Sequence, residues 1–339
     1  MDSVNNNGSN KLFGAFQLGT RAVGEVIKTA GKVVLEKLPS IPLDYTSLMH
    51  NMKPLVQTLA QPDDGLERIF PELPIVPVGD MFERWSPEYV KFIRTHYMKR
   101  LEECVGDGVI AIEDSDRVFV ARSEIVPDIS VEQARNFGLI LPNDIDERVR
   151  CNPNLKIKPL VIRCFGVGSG NILDQIHEGA KNILSSSIDR LASANALVLS
   201  HIESERKKFE SDPNVLVVPI ITGFSMGGMF ASAIAVKNNF SSMVLNGLGL
   251  GRSGCEFVGR EAWARAQRQP NSHIAVSVQS DFVASPDSPL PDVTRTPGRI
   301  ILIPNDSPNS IGEMHRIHFY REIFDKAYRD HITSHPRAN

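Results

Sequence analysis

Cysteine is scarce and unpatterned: four residues in 339, at Cys104, Cys151, Cys164 and Cys255, with no C-x-x-C pair. That spacing provides neither the ligand pairs of a structural zinc site nor a disulfide framework, so reduced and mostly buried thiols are the expectation. A surplus of one charge is also lacking. The 37 Lys and Arg against 40 Asp and Glu leave a net charge of −3, and no basic field calls for nucleic acid. No apolar run approaches the ~20 residues of a membrane-spanning helix. Residues 1–10, rich in Asn and Ser, lack the basic-then-apolar order of a secretory signal peptide. A cytoplasmic location, or export without a classical signal, is expected.

What is present is enough apolar side chain for a substantial core, 42% of residues against 23% charged, as in a globular protein. Residues 1–10 read as a disordered tail. Residues 11–104 read as a helical and proline-rich N-terminal extension. Within it, 11–38 spaces Leu12, Phe16, Val23, Ile27, Val34 and Leu38 at helical intervals, with Arg21, Lys28, Lys32 and Lys37 opposite. Such a basic amphipathic segment is a candidate for membrane-surface contact or a lid. Packing on its own domain explains the same pattern, because any surface helix is amphipathic. Ser86 caps a helix expected to run to Leu101.

From 105 to 330 the texture changes. Val109–Ile112 and Val118–Ala121 read as a hairpin. Strands then alternate with helices: Leu160–Phe165, a long helical stretch over 172–209, Val215–Thr222, an apolar helix from Gly228, Met243–Leu245, Ile274–Val278, Arg299–Ile303 and a final helix over Met314–Tyr328. The alternation predicts an α/β fold, a mostly parallel sheet with helices on both faces. Residues 331–339 form a C-terminal tail.

The chemistry concentrates in Gly223-Phe224-Ser225-Met226-Gly227-Gly228. G-x-S-x-G is weak alone and gains meaning where a strand enters and a helix leaves. Here Val217, Val218, Ile220 and Ile221 precede it, and Met229–Ala235 follow. A serine on so tight a turn needs neighbours without Cβ atoms, which Gly223 and Gly227 supply. The following helix aims N–H groups at a developing oxyanion. Pro219 inside the entering strand runs against this reading, since proline is unfavourable in a central strand.

A serine nucleophile needs a base and a carboxylate to orient it, in the order Ser, acid, His for this type of sheet. Asp281, just past the strand Ile274–Val278, fits the acid better than Asp287, Asp292 or Asp306. His315 and His318 are the candidate bases. His315 is favoured for its place at a loop-to-helix junction, with His318 the alternative. The glycine-rich Gly166-Val167-Gly168-Ser169-Gly170, after the strand ending at Phe165, is the expected source of an oxyanion donor from Val167 or Gly168, alongside the N–H of Met226. No metal or organic cofactor is required. A dinucleotide cradle is the rival reading of that loop, but the acidic residue it needs at a second strand end is missing, since Asp189 falls in helical sequence.

The run Ile220–Ser232 resembles the nucleophile elbow of α/β-hydrolases, most closely that of class 3 lipases, whose elbow reads T-G-H-S-L-G-G. Asp281-Phe282-Val283 is similar to the D-x-V acid motif of that family, and His315 with Tyr320 to an H-x-x-x-x-Y ending. Phe224 stands where the family has His, and Phe165-Gly166 where many relatives have His-Gly or Arg-Gly. The resemblance covers about residues 105–330. It implies a lipase- or esterase-like serine hydrolase acting on a small ester or lipid. The alternative is a fold of this type retained as a non-catalytic binding module.

Overall fold

Among the described residues the strands form one sheet, in the order β1-β9-β8-β7-β6-β5-β3-β2, with β4 attached to β5. The computed structural model describes residues 68–99, 103, 108–114, 117–165, 188–279, 281, 295–305 and 317–336. All lie in the unit Pro62–Asn339. Its strands are β1 (Val76–Pro77), β2 (Gly108–Asp114), β3 (Arg117–Ile125), β4 (Ile129–Ser130), β5 (Lys156–Phe165), β6 (Val215–Phe224), β7 (Ser241–Leu245), β8 (His273–Val278) and β9 (Arg299–Ile303). From β1 to β5 across the sheet, every neighbouring pair is parallel. The hairpin β2–β3 closes one side antiparallel, as its spacing predicts.

The central strands are apolar on both faces, the mark of a parallel sheet covered twice. Alternation sorts their side chains. Val161, Val218, Ile220, Met243, Leu245 and Val276 join one cluster with residues of α1 (Val78–Arg84), α2 (Pro87–Phe92) and α9 (Ile317–Ser334). The intervening residues, such as Val244, face α6 (Met226–Asn238), whose Gly228 approaches Val244 closely. The long helix α5 (Ile188–Lys207) lies on that second face too, where His201 reaches Ser123 at 2.6 Å. The predicted α/β architecture is therefore present, with helices on both sides of the sheet.

Residues 76–98 are built into this body. β1 lies parallel to β9, Val76 beside Ile301, and Met81, Phe82, Tyr89, Ile93 and Met98 are buried in the first-face cluster. Each such side chain contributes roughly 1.5–3 kcal/mol by leaving water. Ser86 caps α2 by accepting from the N–H of Tyr89 at 3.2 Å. The α-helix is shorter than its periodicity predicts. At Ile93–Tyr97 it widens into a π-turn that ends with the Met98 N–H on the Ile93 carbonyl, and both Tyr97 and Met98 turn inward.

Pro219 is accommodated by position. It pairs with Leu160 of β5, but β7 joins β6 only from Ile220 onward. The proline thus sits one residue outside the doubly paired stretch, where a missing N–H costs least.

Candidate functional site

The turn between β6 and α6 carries the strongest local signature. Ser225 has φ 54 and ψ −130, a positive-φ conformation that costs a non-glycine residue about 1–3 kcal/mol and persists only where the surroundings enforce it. They do so here. A Cβ on Gly223 would lie 2.3 Å from the Gly227 carbonyl oxygen, so only glycine lets the strand end and the first helical turn meet. The Ser225 N–H donates to the Leu245 carbonyl at 3.3 Å, and the Ser225 carbonyl accepts from Gly228 at 2.9 Å and Leu248 at 3.0 Å. Ser225 itself is half-buried while α6 behind it is buried from Gly227 to Val236. Met226 is the first residue of that helix, a position with no intrahelical acceptor for its N–H. A strand, a strained serine and a buried helix follow in this order, the strand–turn–helix setting in which a G-x-S-x-G motif gains meaning.

The architecture is an α/β fold, a mostly parallel sheet with helices on both faces.

Asp281 lies three residues past β8 and is fully buried. Its carboxylate accepts from the Asn246 Nδ2 at 3.1 Å, and its N–H donates to the Val278 carbonyl at 3.1 Å. Asn246, also fully buried, follows the last residue of β7. Its Oδ1 accepts from the Val278 N–H at 2.8 Å. Ser225, Met226 and Asp281 thus gather at the C-terminal edge of three adjacent parallel strands, where ligands of open α/β sheets bind.

Of the other predicted site residues, Val167, Gly168 and His315 lie outside the described residues. His318 falls in the first turn of α9. Strand β5, which precedes the glycine-rich loop, ends with Phe165 paired to Phe224, the residue before Ser225. Asp189 sits in the first turn of α5, not at a strand end, so it does not match the ribose-binding acid of a dinucleotide fold.

Sequence reasoning passed over Asn246 and Leu248. A signal existed: Asn-Gly directly after a strand marks a turn whose first residue tolerates positive φ, and Asn246 has φ 41. Gly247 is required as well, since its Cβ would lie 2.1 Å from Val244 Cγ1.

A buried charge cluster flanks this edge. Arg163, two residues before Phe165, is 2% exposed and donates to the His96 carbonyl at 2.8 Å. It also pairs with Glu124, which Lys99 reaches at 2.7 Å. Burial pushes the Glu124 pKa up, but His96, Lys99 and Arg163 outweigh it and hold it at about 2. At the opposite edge His273 opens β8 beside Ser242 at 3.2 Å. Burial, aided by Arg265, lowers its pKa to about 4. A cavity of about 480 Å³ near Arg148, Cys151 and Phe209 opens at that same far edge, away from Ser225.

No protein-family profile matches the chain, and no curated protein sequence does. Among solved structures, Est1E from Butyrivibrio proteoclasticus is similar over 67% of this chain and 99% of its own, at 11% identity and a TM-score of 0.27. A carboxylesterase candidate from Lactobacillus plantarum WCFS1 is similar over 67% of this chain and 96% of its own, at 10% identity and a TM-score of 0.26. Among the described residues no helix is long and apolar enough to cross a membrane.

Proposed function

We propose that the chain is a serine hydrolase that cleaves carboxylic esters through an acyl-enzyme. The observation that carries this reading is the strained Ser225 between β6 and α6, φ 54, since strain of this cost is kept where a side chain must be presented. Ser225 Oγ attacks the ester carbonyl carbon as His315 takes its proton. The resulting oxyanion is held by the N–H groups of Met226 and of Val167 or Gly168. Collapse breaks the C–O bond, and the leaving alcohol takes the proton from the imidazolium. Water then repeats the sequence, releasing the acid and restoring Ser225. Asp281 orients the histidine and stabilises its charged form. No metal or organic cofactor enters the sequence.

The substrate class, a small ester or an acylglycerol-like lipid, follows the resemblance of the elbow to class 3 lipases. His315 is the favoured base and His318 the alternative. Alanine variants of each, assayed on a p-nitrophenyl ester, decide between them. Loss of turnover in His315→Ala with His318→Ala active supports the assignment, and the reverse pattern transfers the role to His318. The basic amphipathic segment 11–38 is proposed to bring the enzyme to a lipid surface. Full chain and a chain starting at Leu43 are compared by flotation with anionic vesicles, and equal flotation rejects that role.

A further inference from the structure

We infer that Asn246 is a positioning residue, setting the acid of the proposed site through a hydrogen bond from its side-chain amide to Asp281. The inference rests on Asp281 being that acid.

The amide orientation is dictated by chemistry. The Val278 N–H, 2.8 Å away, is a donor only and must meet the amide oxygen. That leaves the NH2 group for the Asp281 carboxylate at 3.1 Å, an acceptor when ionised. The side chain therefore needs one acceptor and one donor on the same short stem. Asn offers both, Asp offers two acceptors, and Leu or Gly offers neither. Both Asn246 and Asp281 are fully buried, so water does not replace the bond at low cost.

The same short loop also holds the nucleophile. Leu245, the residue before Asn246, accepts from the Ser225 N–H, and Leu248, two residues after it, donates to the Ser225 carbonyl. The Asn246 N–H donates to the Val276 carbonyl at 2.8 Å. Leu245–Leu248 is thus a bracket that grips Ser225 by its backbone and Asp281 by one side chain. It fixes the two ends of the proposed relay relative to each other.

The full chain is assayed on p-nitrophenyl butyrate across pH as wild type, Asn246→Gly, Asn246→Asp and Asp281→Asn. Glycine suits the positive φ at 246, so Asn246→Gly spares the backbone and deletes only the side-chain bonds. Its kcat is expected to fall roughly ten- to a hundred-fold with KM nearly unchanged, by analogy with the loss of a hydrogen-bond partner behind a metal ligand. Asn246→Asp keeps the acceptor for Val278. It mimics the amide only while the two facing carboxyls share a proton, a proton held to raised pH by their mutual repulsion. Its kcat relative to wild type is therefore expected to fall as pH rises, which a merely structural role for Asn246 would not produce. Full kcat in Asn246→Gly, or a pH-independent ratio for Asn246→Asp, with Asp281→Asn inactive, overturns the role of Asn246 and leaves the site reading standing. Wild-type turnover in Asp281→Asn overturns the acid assignment itself, and the inference with it.

Discussion

A Cβ on Gly228 would stand 2.6 Å from the Cα of Gly247 and 2.5 Å from Val244 Cγ1. The first turn of α6 and the loop after β7 therefore touch backbone to backbone, which is how the bracket reaches Ser225. Gly228→Ala is expected to destabilise by about 3 kcal/mol, the upper range for overpacking, despite the roughly 1 kcal/mol by which alanine favours helix. Gly79→Ala is the control. Its new Cβ meets only His331 Nδ1, at 3.8 Å, and its stability should stay level or rise slightly. Urea unfolding of the two variants checks the contrast.

The elbow was legible in the sequence because its determinants are local. Glycines, serine, entering strand and leaving helix all lie within Val215–Asn238, and the hairpin β2–β3 is local in the same way. The turn at Asn246 was legible from Asn-Gly, but its side-chain role was not, since its partners Val278 and Asp281 are 32 and 35 residues away, and only the closed sheet brings them together. The place of Val76–Pro77 was equally hidden. A two-residue strand has no periodicity to read, and its partner is β9, near the other end of the chain. Pro219 is tolerated for a similar reason: β7 joins β6 only from Ile220 onward, a pairing between strands that β6 alone does not display.

Glu124 should govern part of the acid stability. Its folded pKa of about 2 lies below the ordinary 4.5, so its contribution is present above pH 4.5 and is lost as pH falls toward 2. Glu124→Gln should cost about 3 kcal/mol at neutral pH, because it removes a carboxylate paired with the buried Arg163. It should also flatten that acid window. Chemical denaturation between pH 2 and 7 measures both effects.

His273 acts in a neighbouring window. Its folded pKa of about 4 is below the ordinary 6.5, so the unfolded chain binds the proton more readily between those values. Stability should fall as pH drops from 6.5 to 4, by roughly 3 kcal/mol at the low end. His273→Asn should remove that slope while leaving the Glu124 window intact, as read from melting temperatures across the range.

Tyr320 is fully buried, and its hydroxyl has no hydrogen-bond partner among the described residues. An unsatisfied buried hydroxyl costs about 1–3 kcal/mol. Tyr320→Phe should therefore hold or raise the melting temperature, and calorimetry of the pair is sufficient. A fall of several degrees would mean the hydroxyl is engaged in solution.

Covalent labelling by a fluorophosphonate probe reads the nucleophilicity of Ser225 itself. Intact full-length chain should take up one probe per molecule, at Ser225 by peptide mass, and Ser225→Ala should take up none and lose ester turnover. A well-folded wild-type chain that stays unlabelled, or a Ser225→Ala variant that is still labelled and active, rules out Ser225 as the nucleophile.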